Sequence, residues 1–302
     1  MSGVRAGGAG FGRLSLRGLR HFHLYCLHLS GGQPLQGVPG QVSTTSLIGR
    51  AGVAPVLKEP NPRAEQVSQF VLGETARVLE SRGDWRRVRT DSDRCEGWVH
   101  LGYALETDRE IARGWRETAS AWSEGAVVRA EDGVIVRLPV RARVGLAAPR
   151  VDLPDGRRAE VIAGAVTPCE RVKSRARAVS PDAWALQVFA GTPYQWGGVT
   201  PWGVDCSGLI QTTFLARGIA LPRDAHDQAS RGEAVTPGQA RPGDLLFFAE
   251  AGDRITHVAL VSERDTIVHS TLALGGLVRE PWTPGTRAMM LRAQLVAVRR
   301  VD

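Results

Sequence analysis

The chain has 302 residues and a formal net charge of +7, and its composition is 43% hydrophobic and 23% charged. At roughly 100–200 residues per domain, this length predicts two or three domains with buried cores. The composition excludes wholesale disorder, collagen and coiled coil. No apolar run in the sequence approaches the ~20 residues of a membrane-spanning helix, so a membrane bundle is excluded as well.

The N-terminal residues 1–50 contain five arginines and no Asp, Glu or Lys. They predict a basic, disordered leader, with ordered structure from about residue 50. Because this charge lies in a tail rather than on a folded face, we expect no nucleic-acid binding. The apolar stretch Leu24–Leu27 is too short for the core of a secretory signal. We therefore expect a cytoplasmic protein, with export to the periplasm as the alternative.

Residues 51–106 predict a small β-barrel of about five strands. Strands over Thr75–Glu80 and Trp85–Thr90 flank a turn that contains Gly83, and a third strand follows at Gly97–His100. Residues 107–123 predict a helical connector. Residues 124–175 predict a second β module, because two Asp-Gly turns lie between alternating strands, and the arginine-rich residues 171–180 predict a linker.

The first module resembles bacterial SH3-type domains. Those domains carry a Gly-Glu before one strand, a Trp-x-x-Val in the next and a Gly-Trp in the last, and the chain has them at Gly73-Glu74, Trp85–Val88 and Gly97-Trp98. The second module resembles a more divergent copy. The resemblance implies two small SH3-like β-barrels in succession.

A different pattern starts at Ser180-Pro181, which is typical of a helix N-terminus. After a Gly-rich loop, Asp205 is placed to cap a second helix, which puts Cys206 in its first turn. The unpaired N–H groups and positive dipole end of a helix stabilise a thiolate and can hold an oxyanion. The sequence therefore makes Cys206 a candidate nucleophile.

Two strand-like segments downstream each carry one histidine in an apolar setting, His257 and His269. The short polar connection between them predicts a hairpin, so the two rings are expected to be neighbours on one sheet face. A thiol at a helix tip facing two histidines is the arrangement of nucleophilic catalysis, with a base and a group that orients it.

Several motifs in order over residues 180–302 resemble the NlpC/P60 family of bacterial cell-wall peptidases: YQWGG, DCSGLI, LPRD, RPGD, THVALV and IVHS. The resemblance implies an α+β chain with a papain-like catalytic domain behind the two barrels. It implies Cys206 as nucleophile, His257 as base, His269 as the orienting group and Tyr194 as support for the oxyanion.

With the upstream barrels, the layout is similar to γ-D-glutamyl-L-diamino acid endopeptidases of the dipeptidyl-peptidase VI type. That implies cleavage of murein peptides with a free N-terminal L-Ala, in cell-wall peptide recycling or turnover. An acidic residue of the first barrel and the neighbours of the cysteine would hold the amine; the matching positions are Glu74, Asp205 and Ser207. Cys95 stands where the family often has Tyr.

The chemistry expected from these residues is attack by a Cys206 thiolate, paired with a protonated His257, through a thioester that water resolves. Arg223 is a candidate for binding substrate carboxylates. We expect no metal and no cofactor. Cys95 and Cys169 are expected in small β cores.

Three alternatives stay open at this point. The first is a non-catalytic protein that binds the cell wall or a peptide. The second is another papain-like thiol amidase or acyltransferase. The third is a zinc site with Cys206, His257 and His269 as ligands. The diamino acid accepted and the oligomeric state are also open.

Overall fold

The computed structural model describes residues 45–249 and 254–302. Most of the predicted basic leader lies outside these ranges. Its last residues do not: Thr45–Gly49 form strand β1 and pair with two strands of the first module. The first module therefore begins at residue 45 rather than 51. No helix in the described ranges is long and apolar enough to cross a membrane.

The first module is a seven-stranded antiparallel sheet in the order β3-β2-β6-β5-β4-β1-β7. About five strands were predicted, and three of them were located; the structure has seven, and two of these, β1 and β7, pair with each other at one edge. Leu47, Phe70 and Val88 are fully buried in its core. The strands after β1 are Val53–Leu57 (β2), Gln66–Val71 (β3), Thr75–Arg82 (β4), Trp85–Thr90 (β5), Glu96–His100 (β6) and Ala104–Asp108 (β7).

The predicted connector contains helix α1, Arg109–Thr118. The second module follows as another seven-stranded sheet, in the order β10-β9-β13-β12-β11-β8-β14, with its own core around Val128 and Val144. Its strands are Ala121–Ser123 (β8), Val127–Ala130 (β9), Ile135–Arg137 (β10), Arg143–Ala147 (β11), Arg150–Asp152 (β12), Arg158–Ala163 (β13) and Val166–Pro168 (β14).

The predicted linker is a helix instead. Cys169–Arg177 form α2, so the end of the predicted second barrel and most of residues 171–180 belong to this helix. Val172 and Ala176, four residues apart, are buried on one helix face. They share a hydrophobic cluster with Trp122 of β8 and with the catalytic region. The packing of this narrow apolar face overrides the polar, arginine-rich character of the segment.

The C-terminal region is built on a six-stranded sheet in the order β17-β22-β18-β19-β20-β21, which confirms the α+β class. Alternate residues of β18 enter two cores: Phe247 faces the cluster of α3 and α4, and Phe248 faces that of α6. The helices are Pro181–Val188 (α3), Cys206–Ala216 (α4), Ala225–Gln228 (α5) and Arg287–Arg292 (α6); the strands are Val199–Thr200 (β15), Gly203–Val204 (β16), Glu233–Ala234 (β17), Leu245–Phe248 (β18), His257–Ser262 (β19), Thr266–Thr271 (β20), Gly276–Pro281 (β21) and Leu295–Arg300 (β22).

Candidate active site

Cys206 is the first residue of α4, as the sequence predicts. The Asp205 carboxylate accepts hydrogen bonds from the backbone N–H of Gly208 (2.7 Å) and of Gly197 (2.8 Å). A Cβ at Gly208 would lie 2.0 Å from the Gly198 carbonyl oxygen, so a glycine is required there. The N-cap and this close approach hold the preceding loop against the first turn of α4 and fix the position of the thiol.

The thiol of Cys206 lies against the backbone N–H of Val258, the residue after His257. The thiol is thus placed beside the start of β19, where α4 packs on this strand. Burial, followed by the charge of Asp205, raises the pKa of the Cys206 thiol to about 12. Burial, followed by the nearby His269, lowers the pKa of His257 to about 3.

Burial therefore disfavours the charged form of both groups. This desolvation opposes the helix N-terminus and works against the thiolate–imidazolium pair, which stays a prediction. A neutral imidazole is nevertheless a competent base, since it can accept the thiol proton as the sulfur attacks.

A chain of buried hydrogen bonds runs behind His257. Its Nε2 is 2.8 Å from Nδ1 of His269, and Nε2 of His269 is 2.9 Å from a carboxylate oxygen of Glu280. The strand registers explain the line: His269 pairs with Val278, so Glu280 is diagonal to it on β21. On the other side of β20, Leu260 of β19 pairs with Val268. Extended to the start of β19, this register places His257 diagonal to His269 on the same face of the sheet.

This network determines the tautomers. The Glu280 carboxylate accepts from Nε2–H of His269, so Nδ1 of His269 accepts from Nε2–H of His257. Nδ1 of His257 is then the unprotonated nitrogen, which can accept a proton. The expectation that His269 orients His257 matches this geometry.

Glu280 was missed by the sequence analysis. Its carboxylate also accepts the backbone N–H of Arg287 (3.1 Å), so it is held from two sides. The one available signal was an acidic residue in the strand-like run that follows His269. Its significance depends on β21 pairing beside β20, which spacing alone does not predict.

We expect Glu280→Gln to lower kcat about tenfold with little change in KM. Glutamine keeps an acceptor but loses the charge that stabilises His269 and, through it, a protonated His257. Steady-state kinetics and a thermal melt should be measured together. Unchanged kcat, or a loss of kcat fully explained by unfolding, would contradict a role in orienting the base.

The thiol opens into a cleft of about 710 Å³ between the first sheet and the catalytic region. Its walls are strongly charged. The first sheet contributes Lys58, Glu65, Val67 and Asp93–Glu96, and the catalytic region contributes Trp196, Asp205–Ser207, Pro222–Asp227 and Arg254–Thr256.

Three of the predicted substrate-binding residues are brought together at this cleft. The buried guanidinium of Arg223 donates to both carboxylate oxygens of Asp205 (3.1 and 2.5 Å) and to the Ser207 hydroxyl (2.8 Å). Its Nε donates to Ser68 of β3 (3.2 Å). Because these partners occupy Arg223, the geometry does not favour the predicted binding of substrate carboxylates by this residue. It ties the first sheet to the N-cap of α4 instead.

Glu74 does not lie in the cleft. Its carboxylate receives 2.7 Å contacts from Nε and a terminal nitrogen of Arg141, and both side chains are buried. The preceding Gly73 has φ +80°, and a Cβ there would meet the Arg143 carbonyl oxygen at 2.0 Å. The Gly-Glu pair therefore serves contact between the two sheets, and this geometry does not favour the predicted role of Glu74 in substrate binding.

Tyr194 lies in the loop between α3 and β15. Its side chain is half-buried, and its backbone N–H donates to the Gly275 carbonyl (2.8 Å). Support of the oxyanion by its hydroxyl stays a prediction.

Cys95 lines the cleft rather than a β core, and burial raises the pKa of its thiol to about 12. Cys169 likewise starts α2, beside Arg143. Over the described ranges, no three His, Cys, Asp or Glu side chains form a group that could hold a metal ion.

Comparison with known proteins identifies the first module and the C-terminal region. The family model of the NlpC/P60 family matches residues 191–292, and that of the bacterial dipeptidyl-peptidase SH3 domain matches residues 56–102. The chain contains an NlpC/P60 domain. It thus carries a cysteine-type peptidase domain behind a bacterial SH3 domain.

Two curated relatives carry the same name. A γ-D-glutamyl-L-lysine dipeptidyl-peptidase of Bacillus subtilis is 45% identical over 84 residues, covering 27% of this chain and 28% of the relative. One of Bacillus cereus is 27% identical over 228 residues, 68% of this chain and 67% of the relative. An NlpC/P60 family protein from Bacillus cereus superposes with a TM-score of 0.69 at 20% identity, over 84% of this chain and 99% of that one. This last likeness shows a shared fold across both sheets and the NlpC/P60 domain.

Proposed function

We propose that this protein hydrolyses the amide bond between the γ-carboxyl of D-Glu and a diamino acid in murein peptides that carry a free N-terminal L-Ala. The observation that carries the proposal is the buried hydrogen-bond line Glu280–His269–His257, with the Cys206 thiol against the backbone of the next residue, Val258, in the lining of a charged cleft. The names of the two Bacillus relatives support the same bond type.

The proposed reaction uses the thiol of Cys206, the imidazole of His257 and the hydrogen-bond line behind it. Cys206 attacks the γ-carbonyl carbon while Nδ1 of His257 accepts the thiol proton. The amine of the diamino acid leaves with that proton, and a thioester to the glutamyl carbonyl forms. Water, deprotonated by His257, then releases the acid. His269 and Glu280 stabilise the imidazolium that exists between these steps.

Recognition of the free amine requires an anionic partner on the cleft wall. Glu65 replaces Glu74 in this part of the proposal. The indole N–H of Trp196 donates to Glu65 (3.2 Å), and the next residue, Gly197, donates to Asp205. The carboxylates of Glu65 and Asp205 therefore accept hydrogen bonds from two consecutive residues, Trp196 and Gly197. Asp205 is neutralised by Arg223, whereas Glu65 is half-exposed and pairs with Lys58 at 3.2 Å, a contact that a substrate ammonium can replace.

A digest of two tripeptides tests the proposal. L-Ala-γ-D-Glu-diaminopimelate with a free amine should be cut to dipeptide and diamino acid, and its N-acetylated form should not. Equal turnover of the two would remove the amine requirement, and turnover of neither would remove the proposed reaction. A requirement for a free N-terminal amine fits peptides whose L-Ala is no longer acylated. On that basis we propose that the enzyme acts in peptide recycling, in the cytoplasm.

We expect Glu65→Gln to raise KM for the free-amine peptide about tenfold with kcat nearly unchanged, because one partly exposed charged hydrogen bond is lost. Glu80→Gln is the matched control: it removes the same charge from the first sheet, at a carboxylate paired with Arg82 outside the cleft. An equal effect of both substitutions would show a general loss of charge rather than contact with the amine.

A further inference from the structure

The wall of the cleft beside the base carries an arginine that catalysis does not use. Arg254, Ile255 and Thr256 line the cleft and lead directly into His257 at the start of β19. The side chain of Arg254 is exposed. Within residues 45–249 and 254–302 it has neither a hydrogen bond nor an ion pair.

The other cationic side chains of the cleft differ from Arg254. Arg223 is held by Asp205, and Lys58 is paired with Glu65. Arg94 is exposed and, in the described part of the chain, also without an ion pair, but it lies on the opposite wall, in the turn between β5 and β6. Among the cleft residues that the structure describes, Arg254 is thus the guanidinium without an ion pair on the side of the base.

The chemistry of the reaction orients the substrate along this cleft. The amine end lies at Glu65 and Asp205. The leaving amine must take its proton from His257, so the diamino acid lies against the segment that contains His257. Arg254 precedes this residue by three positions, about 10 Å of extended chain at ~3.3 Å per residue, and a guanidinium side chain reaches back over part of that distance. A diamino acid bound there would extend its side chain along the segment that carries Arg254.

We propose that Arg254 determines which diamino acid is accepted, by binding the side-chain carboxylate of diaminopimelate in preference to lysine. Lysine ends in an ammonium alone, which the guanidinium repels, whereas diaminopimelate carries a carboxylate that Arg can bind through two N–H groups. This inference rests on the proposed function and adds its substrate class. It differs from the L-lysine in the names of the two Bacillus relatives.

The test compares three peptides that share L-Ala-γ-D-Glu: one ending in diaminopimelate, one in diaminopimelate amidated at the side-chain carboxylate, and one in L-lysine. The unsubstituted protein should favour the first by about tenfold in kcat/KM, the effect of one charged hydrogen-bonded pair at a partly exposed site, and the difference should lie in KM. Arg254→Ala should remove the preference by impairing the first peptide alone. Arg254→Lys should retain part of it, and Arg94→Ala, the matched control, should keep it.

Equal turnover of all three peptides by the unsubstituted protein would overturn the inference and leave the proposed function intact. An equal loss on all three in Arg254→Ala would also overturn it, since Arg254 would then bind a carboxylate that every substrate shares. Loss of the preference in Arg94→Ala instead of Arg254→Ala would assign the selectivity to the other wall. Absence of turnover on every peptide would overturn the proposed function and, with it, this inference.

Discussion

Replacing Cys206 by alanine is expected to lower kcat/KM on L-Ala-γ-D-Glu-diaminopimelate by about 10⁴-fold or more, the usual effect of removing a covalent nucleophile. The thiol is at the start of α4, and alanine fits the same backbone, so the melting temperature should change little. Release of the diamino acid, followed with purified protein, measures the loss.

Cys169→Ala is the matched control for this substitution. Its thiol is half-buried beside Arg143, away from the cleft, and full activity is expected. Activity retained in the Cys206→Ala protein, or lost equally in both variants, would be incompatible with Cys206 as the nucleophile.

Replacing Arg141 by methionine is expected to lower the free energy of unfolding by about 3–5 kcal/mol, because it leaves the Glu74 carboxylate buried without its partner. Arg141 also donates to Gln211 and Thr212 of α4, at 3.0 Å each, so the loss reaches both sheets and the catalytic helix. Urea unfolding followed by tryptophan fluorescence measures the change.

The double variant Glu74→Gln/Arg141→Met should recover part of this loss, since no buried charge is left unpaired. Arg113→Ala removes an exposed i,i+4 pair at 4.0 Å and should cost less than about 1 kcal/mol. A cost for Arg141→Met as small as that for Arg113→Ala would show that the buried pair does not hold the modules together.

The sequence predicted well those parts of the molecule that local patterns determine. Ser180-Pro181 starts α3 and Asp205 caps α4, because the signals for a helix N-terminus lie within a few residues of the helix. The hairpin of β19 and β20 also follows from a short polar turn between two apolar runs. These elements were sufficient to place Cys206 and the two histidines in one site.

The remaining features depend on packing between distant segments. Glu65 and Glu74 are both acidic residues of the first sheet, and which of them faces the cleft depends on how that sheet packs against the second. Glu280 acts only because β21 pairs beside β20. The charge states of Cys206 and His257 depend on how deeply each is buried, which a motif does not contain.

The hydrophobic clusters in the interior of the molecule combine residues from more than one domain. Trp122 of β8 is buried in one cluster with Phe189 and Phe214 of the catalytic region, and Val199 of that region is buried with the core of the second sheet. A fragment cut at Ser180 would lose α2 and Trp122 and leave these contact faces open to water. The span of the family match, residues 191–292, is thus shorter than the unit that these buried contacts join, and a fragment of that span is expected to unfold more readily than the full chain.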